Sequence, residues 1–203
     1  MSSYPVHYIA ARPARFTRFQ LLVRILAFIV LGIVGVSLGL VFAIAYLGLP
    51  LFAAARLAGG RDPAAYVADD GARIEGLLRW IASVYGWFGL VSEKLPERSP
   101  DETVRLEIER AGRPTPASAL WRLLIGLPSA LALWLLGVVG VLVWLWAALC
   151  VLVSERVGEG AHAYLAGLQR WAVRLLAYQA SIVEPYPPFS FEEPRPALPA
   201  AAP

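Results

Sequence analysis

Two stretches of this chain contain no Asp, Glu, Lys or Arg: Ile25 to Ala55 and Leu123 to Ser154. Each exceeds the ~20 apolar residues that a helix needs to cross a hydrocarbon layer ~30 Å thick. A chain carrying two such runs must present a large apolar surface, and it reads as an integral membrane protein. Composition agrees, with 58% hydrophobic and 16% charged residues against ~45–50% and ~25% in soluble domains. The first run follows about twenty mixed residues and is far longer than the 7–15 residue core of a secretory leader, so it is expected to stay in the mature protein.

Of 18 basic residues all but Lys94 are arginine, and the net charge is +3. The Arg, Ala, Leu and Gly bias is that of a GC-rich bacterial genome, and the expected location is the plasma membrane of a bacterium, crossed more than once. Cys150 is the single cysteine, which excludes an intrachain disulfide.

The first segment, Tyr4 to Ile9, alternates apolar and polar residues and suits a short strand. Arg12, Arg15, Arg18 and Arg24 follow, just ahead of the first run. Arginines at a membrane flank mark the cytoplasmic side and contact anionic lipid head groups at about 1 kcal/mol each. No aromatic groove or RNA module accompanies them, so nucleic acid is not an expected partner.

The run itself has an awkward length. Thirty-one residues make a helix of roughly 46 Å, too long for one upright crossing and too short for two. Either a tilted helix or a tight re-entrant hairpin fits. Gly32, Gly35, Gly39, Gly48 and Pro50 permit a bend or close helix contacts. The basic residues are spread over the N-terminal, central and C-terminal segments, which favours an even number of crossings per run and all water-exposed parts on one side.

After a polar loop containing Asp69 and Asp70, Ile74, Leu77, Leu78, Ile81, Val84, Tyr85, Phe88 and Val91 recur at helical spacing. This predicts an amphipathic helix lying at the interface, with Trp80 and Trp87 on its wide apolar face and Glu75 and Arg79 one turn apart on another. A second alternating stretch, Val104 to Glu109, predicts another strand, able to pair with the first in one small sheet.

The order is then written again. Leu31-Gly-Ile-Val-Gly-Val36 is matched by Leu136-Gly-Val-Val-Gly-Val141, which brings Gly137 and Gly140 into correspondence. Leu77-Leu-Arg-Trp80 is matched by Leu168-Gln-Arg-Trp171, and Glu93-x-x-Pro96 by Glu184-x-x-Pro187. The predicted fold is an all-α membrane protein of two pseudo-repeats. Each has a long apolar transmembrane or re-entrant hairpin, an interfacial amphipathic helix, and a short strand ahead of the run. The expected divisions are residues 1–98, 99–191, and a disordered Pro/Ala-rich tail at 192–203. Inverted repeats of the transporter type are the alternative, disfavoured because neither run holds an ionisable residue.

Trp121-Arg-Leu-Leu-Ile-Gly-Leu-Pro128, Gly167-Leu-Gln-Arg-Trp-Ala-Val-Arg-Leu-Leu-Ala-Tyr178 and Pro185-Tyr-Pro-Pro-Phe189 resemble the bacterial membrane family known as DUF4389, a domain of unknown function. The resemblance covers roughly residues 104–191, with the first half as a diverged copy, and it implies no activity.

His7 and His162 are far apart and lack other ligands at metal spacing, and no nucleophile or phosphate-loop motif is present. The expectation is a non-enzymatic scaffold or accessory subunit without cofactor or metal, packing against another membrane protein or itself. The expected packing residues are Gly32, Gly35, Gly39, Gly137, Gly140, Trp80, Trp171, Tyr186, Pro187, Pro188 and Phe189. A lipid-binding component is the alternative, with Arg12, Arg15, Arg18, Arg24, Arg79, Arg170 and Arg174 as head-group contacts.

Overall fold

The computed structural model describes residues 4–94 and 104–192. The expected division between residues 98 and 99, Pro96, and nearly all of the Pro/Ala-rich tail lie outside the described residues.

Both alternating stretches are strands. β1 (Val6–Ala10) and β2 (Val104–Ile108) pair antiparallel, with Tyr8 opposite Leu106. Val6, Tyr8, Val104, Leu106 and Ile108 point inward and are buried, while Arg105 and Glu107 face outward.

The first apolar run begins in α1 (Arg18–Ile33), capped by the Thr17 hydroxyl, which accepts from the Gln20 N–H. α1 stops in a Schellman turn: Gly35, at φ +76°, donates to Gly32 O, and Val36 donates to Leu31 O at 2.8 Å. Glycine adopts this left-handed conformation without the steric penalty of a Cβ. Ser37 then accepts from Leu40 N at 3.0 Å and starts α2 (Leu38–Ala58). Pro50 lies inside α2 without ending it.

A single turn, α3 (Pro63–Ala65), and a π-helical turn (Tyr66–Asp70) lead into α4 (Gly71–Phe88). This helix matches the amphipathic periodicity. In the second half, α5 (Pro116–Ile125) starts from a Thr115–Ser118 capping box and passes at Gly126 into α6 (Leu127–Ser154), followed by α7 (Glu159–Gln179).

Neither apolar run is a hairpin, which corrects the sequence-based expectation. α6 is one unbroken helix of 28 residues. α1 and α2 do not fold back on each other but lie along α5 and α6 in the opposite sense. Arg18 donates to Leu152 O at 2.9 Å, the Phe28 and Trp144 rings meet at 5.6 Å, and Tyr46 donates to Leu123 O at 2.8 Å. As the first number rises, the second falls. The first run is thus a broken rod, interrupted at residues 34–37, beside a nearly continuous one. The physical reason is the placement of hydrogen-bonding side chains. Ser37 caps a new helix in mid-run, whereas Ser129 and Ser154 fall in the first and last turns of α6.

α7 runs back along α6. The Tyr164 hydroxyl donates to Leu136 O at 2.8 Å, Leu168 packs over Gly140, and Gln179 rests against Gly126. α4, α7 and the sheet form a second layer behind the rods. One core fills the space between the sheet, α2, α4 and α7; a second, around Phe16, Leu21, Ala147 and Val151, joins α1 to α6.

Positions correspond between the halves. Val6 and Val104 open the strands, Thr17 and Thr115 cap the helices that follow, and Arg24 and Arg122 lie within those helices, each pair separated by the same number of residues. A second set shares its own separation: Arg79 and Arg170, the left-handed Leu90 (φ 55°) and Ser181 (φ 59°), and Glu93 and Glu184. The hexapeptides Leu31–Val36 and Leu136–Val141 do not correspond in structure: the first forms the turn between α1 and α2, and the second lies in mid-helix.

Candidate functional site

Two features stand out: a set of internal arginine clamps, and the apolar outer face of the rods. Arg79 of α4 donates to Leu106 O at 3.3 Å and Arg170 of α7 donates to Tyr8 O at 3.0 Å. Those two carbonyls belong to residues paired across the sheet. Each amphipathic helix therefore holds the strand contributed by the other half. Arg79 also donates to Glu75 at 2.7 Å and stays one-third exposed.

Arg170 (4% exposed) additionally donates to Phe191 O, and Arg174 (2% exposed) donates to Ser190 O at 3.2 Å and Glu192 O at 2.9 Å. Burial pushes the Tyr8 hydroxyl well above its ordinary range, with Arg170 opposing that rise. The two arginines strap the segment after Tyr186 across α7, where Trp171 meets Phe189 at 5.1 Å and Phe191 at 6.1 Å.

Arg24, 0% exposed, donates to Ser92 O at 2.8 Å and to Glu93 Oε2 at 3.2 Å. Its guanidinium lies between the Phe16 and Trp87 rings at 5.7 and 5.2 Å. Burial lowers its pKa, and the Glu93 charge opposes that shift. Glu93 Oε1 also accepts from Thr17 N at 2.9 Å and Thr17 Oγ1 at 2.8 Å. Arg122, over the Tyr178 ring at 4.4 Å, donates to Tyr178 O and Val183 O in the second half.

Arg24, Arg170 and Arg174 were expected at lipid head groups, and the structure places them inside. Each guanidinium binds carbonyls that a folded core otherwise leaves short of donors. Arg12, Arg15 and Arg18 remain at the surface around the C-terminal end of α6, with Arg15 donating to Glu155 at 2.7 Å. Sequence reading missed Arg122, which can be recognised by its shared spacing with Arg24, and Gln169. The Gln169 amide accepts from the Tyr8 hydroxyl and donates to Tyr85 O, both at 2.7 Å.

The expected packing residues divide. Gly140 is packed against Leu168, while a side chain at Gly32 or Gly137 would meet open space, and at Gly39 only the Ser37 hydroxyl. Gly35 is conformational. Trp171 is buried and Trp80 half exposed. The Tyr186 hydroxyl lies 2.7 Å from the Ser129 hydroxyl and Pro187 is buried, so this segment docks on its own domain; Pro188 and Phe189 face out.

On the other side of the molecule, Leu131, Trp134, Leu135, Val138, Leu142, Leu145, Trp146, Leu149 and Val153 form an exposed side of α6 free of charge from end to end. α2 and the combined α5–α6 are long and apolar enough to cross a membrane. Where α1 diverges from α2, α4 closes an apolar cleft of about 620 Å³ lined by Leu26, Val30, Leu38, Trp80, Val84 and Phe88 among others.

The fold and these surfaces define a helical protein with two candidate membrane helices and a two-stranded sheet. Residues 116–190, from α5 to the docked segment, match the family profile DUF4389, a domain of unknown function. This match supports that family for the second half of the chain. No curated protein and no solved structure gives a significant match.

Proposed function

We propose that the protein is a non-enzymatic integral membrane scaffold or accessory subunit of a bacterial plasma membrane. The observation that carries this reading is the unbroken apolar side of α6. In water, an exposed apolar patch larger than a few hundred Å² marks an interaction surface. The buried polar groups support a structural role, because Arg24, Arg170 and Arg174 are directed at carbonyls of the same chain. The shared spacings support a further part of the reading, that the two halves arose by duplication and the first has diverged.

Extraction tests the reading. The full-length chain is expected to stay with membranes through an alkaline carbonate wash and, in mild detergent, to purify with a second membrane protein or as a defined oligomer. Release by carbonate, or a monodisperse monomer with nothing bound, overturns it.

A lipid-binding role is favoured by the cleft between α1, α2 and α4, whose apolar walls suit an acyl chain. Native mass spectrometry of the purified protein is then expected to retain phospholipid, and replacing Leu26 and Val84 by Trp to displace it.

A further inference from the structure

Taking the membrane reading as given, we infer that the two rods lie flat in a single leaflet, along the membrane plane, and do not cross the bilayer. The occupant of the apolar face is lipid from one side only. Three observations converge on this orientation.

The first is the position of the sheet. Arg170, halfway along α7, binds Tyr8, halfway along β1. Because α7 runs the length of α6, the sheet stands behind the middle of α6. Its outer face carries exposed Arg105 and Glu107. If α6 stood upright across the bilayer, those charges would be carried to mid-depth. Each would cost about 2.5–3.5 kcal/mol even on the mildest scale. Lying flat, α6 keeps the whole second layer in water.

The second is charge at both ends. Exposed Arg12, Arg15, Arg18 and Arg156 surround the C-terminal end of α6, and exposed Arg56 and Arg113 lie toward the opposite end, by α2 and α5. A crossing protein concentrates arginine on one side. Arginine at both ends of an apolar face complements one anionic surface touched along its length.

The third is length. The combined α5–α6 helix has 39 residues, roughly 58 Å at 1.5 Å per residue, against a hydrocarbon layer of ~30 Å. Its partner rod is broken at Gly35 into α1, 16 residues and about 24 Å, too short to cross, and α2, 21 residues and about 32 Å, long enough by itself but continuous in direction with α1 along the same rod.

Depth measurement decides the matter. Leu131→Cys, Val138→Cys, Leu145→Cys and Leu152→Cys lie seven residues apart on the exposed side of α6. Each is made in full-length protein with Cys150→Ser, spin-labelled, and reconstituted in vesicles of phosphatidylethanolamine and phosphatidylglycerol. Circular dichroism confirms that the helical signal is retained, and oxygen against nickel-chelate accessibility gives depth. The expected result is one common depth of about 5–10 Å below the head groups, with a label at Arg105→Cys in water. A crossing helix instead gives steps of about 10 Å between neighbouring labels, deepest in the middle. That profile overturns the flat orientation and leaves the membrane reading intact. Four water-exposed labels overturn both. Spin–spin broadening without oxygen access shows a second copy on the face, which overturns lipid as the occupant while leaving a self-associating scaffold.

Discussion

Removing Glu93 is expected to be among the most damaging changes to this protein, and more damaging than removing the arginine it pairs with. Arg24 is fully buried, and Glu93 is the one carboxylate that it contacts among the described residues. In Glu93→Ala the guanidinium keeps the Ser92 carbonyl and its two aromatic neighbours but loses its counter-charge. An uncompensated buried charge costs about 3–5 kcal/mol. For a chain of this size that lowers the melting temperature by about 6–20 °C. Arg24→Met keeps most of the volume and removes the charge. Glu93 then retains both Thr17 donors and a side chain 22% exposed, so the cost is that of the charge-assisted hydrogen bond lost from Arg24 to the Ser92 carbonyl, about 1.5–3 kcal/mol. Arg24→Met with Glu93→Ala leaves no charge to compensate and should recover part of the Glu93→Ala loss. Thermal unfolding followed by circular dichroism, in one detergent or vesicle preparation, reads all three. If the two single variants lose equal stability and their effects add, Arg24 is not a buried charge held by Glu93, and the clamp as described is wrong.

Arg15→Gln and Arg18→Gln should each weaken binding to phosphatidylglycerol vesicles about 5-fold, the equivalent of about 1 kcal/mol; sedimentation at low and high salt reads this, and an effect insensitive to salt would refute it. Arg170→Ala should release the docked C-terminal segment, speeding proteolysis after Phe189 and costing about 2–4 kcal/mol through its lost charge-assisted hydrogen bonds. Gly140→Leu should cost about 1–3 kcal/mol by forcing α7 away from α6 at Leu168, whereas Gly137→Leu, with open space around it, should stay within about 0.5 kcal/mol in the same melting assay. Burial raises the Tyr85 hydroxyl from 10.0 to about 12. A raised folded value means that its contribution is complete below pH 10 and lost as pH rises toward 12, so alkaline denaturation should overlap tyrosinate formation in that window.

Local pattern made several elements legible. The alternation at Val6–Ile9 and Val104–Glu109 marks both strands, and the helical recurrence from Ile74 to Phe88 marks α4, because these signals depend on neighbouring residues alone. The form of the apolar runs was less legible. Their glycines and Pro50 fit a tilted helix or a hairpin equally, and the spread of arginine over three segments favours the hairpin; yet Pro50 sits within α2, and the break depends on Gly35 being followed by Ser37, whose hydroxyl supplies the next cap. The arginines misled for a different reason. An Arg beside Trp in an apolar helix reads as a side chain reaching for the interface. The partner of Arg170 is Tyr8, 162 residues away, and no periodicity within α7 reveals an acceptor supplied by the other end of the chain. The regular separation of Thr17 and Arg24 from Thr115 and Arg122 was the available clue.

The exchange of strands between the halves governs how the chain can be made. β1 emerges from the ribosome early, but its partner β2 begins only at Val104. At about 5–20 residues per second the delay is on the order of 5–20 s. Throughout it, β1 keeps two open edges and α1–α2 is present without α5 and α6 beside it, a state prone to association. In that interval the apolar surface of α1–α2 is open to lipid or a chaperone, and a product ending before residue 104 lacks the strand that pairs with β1.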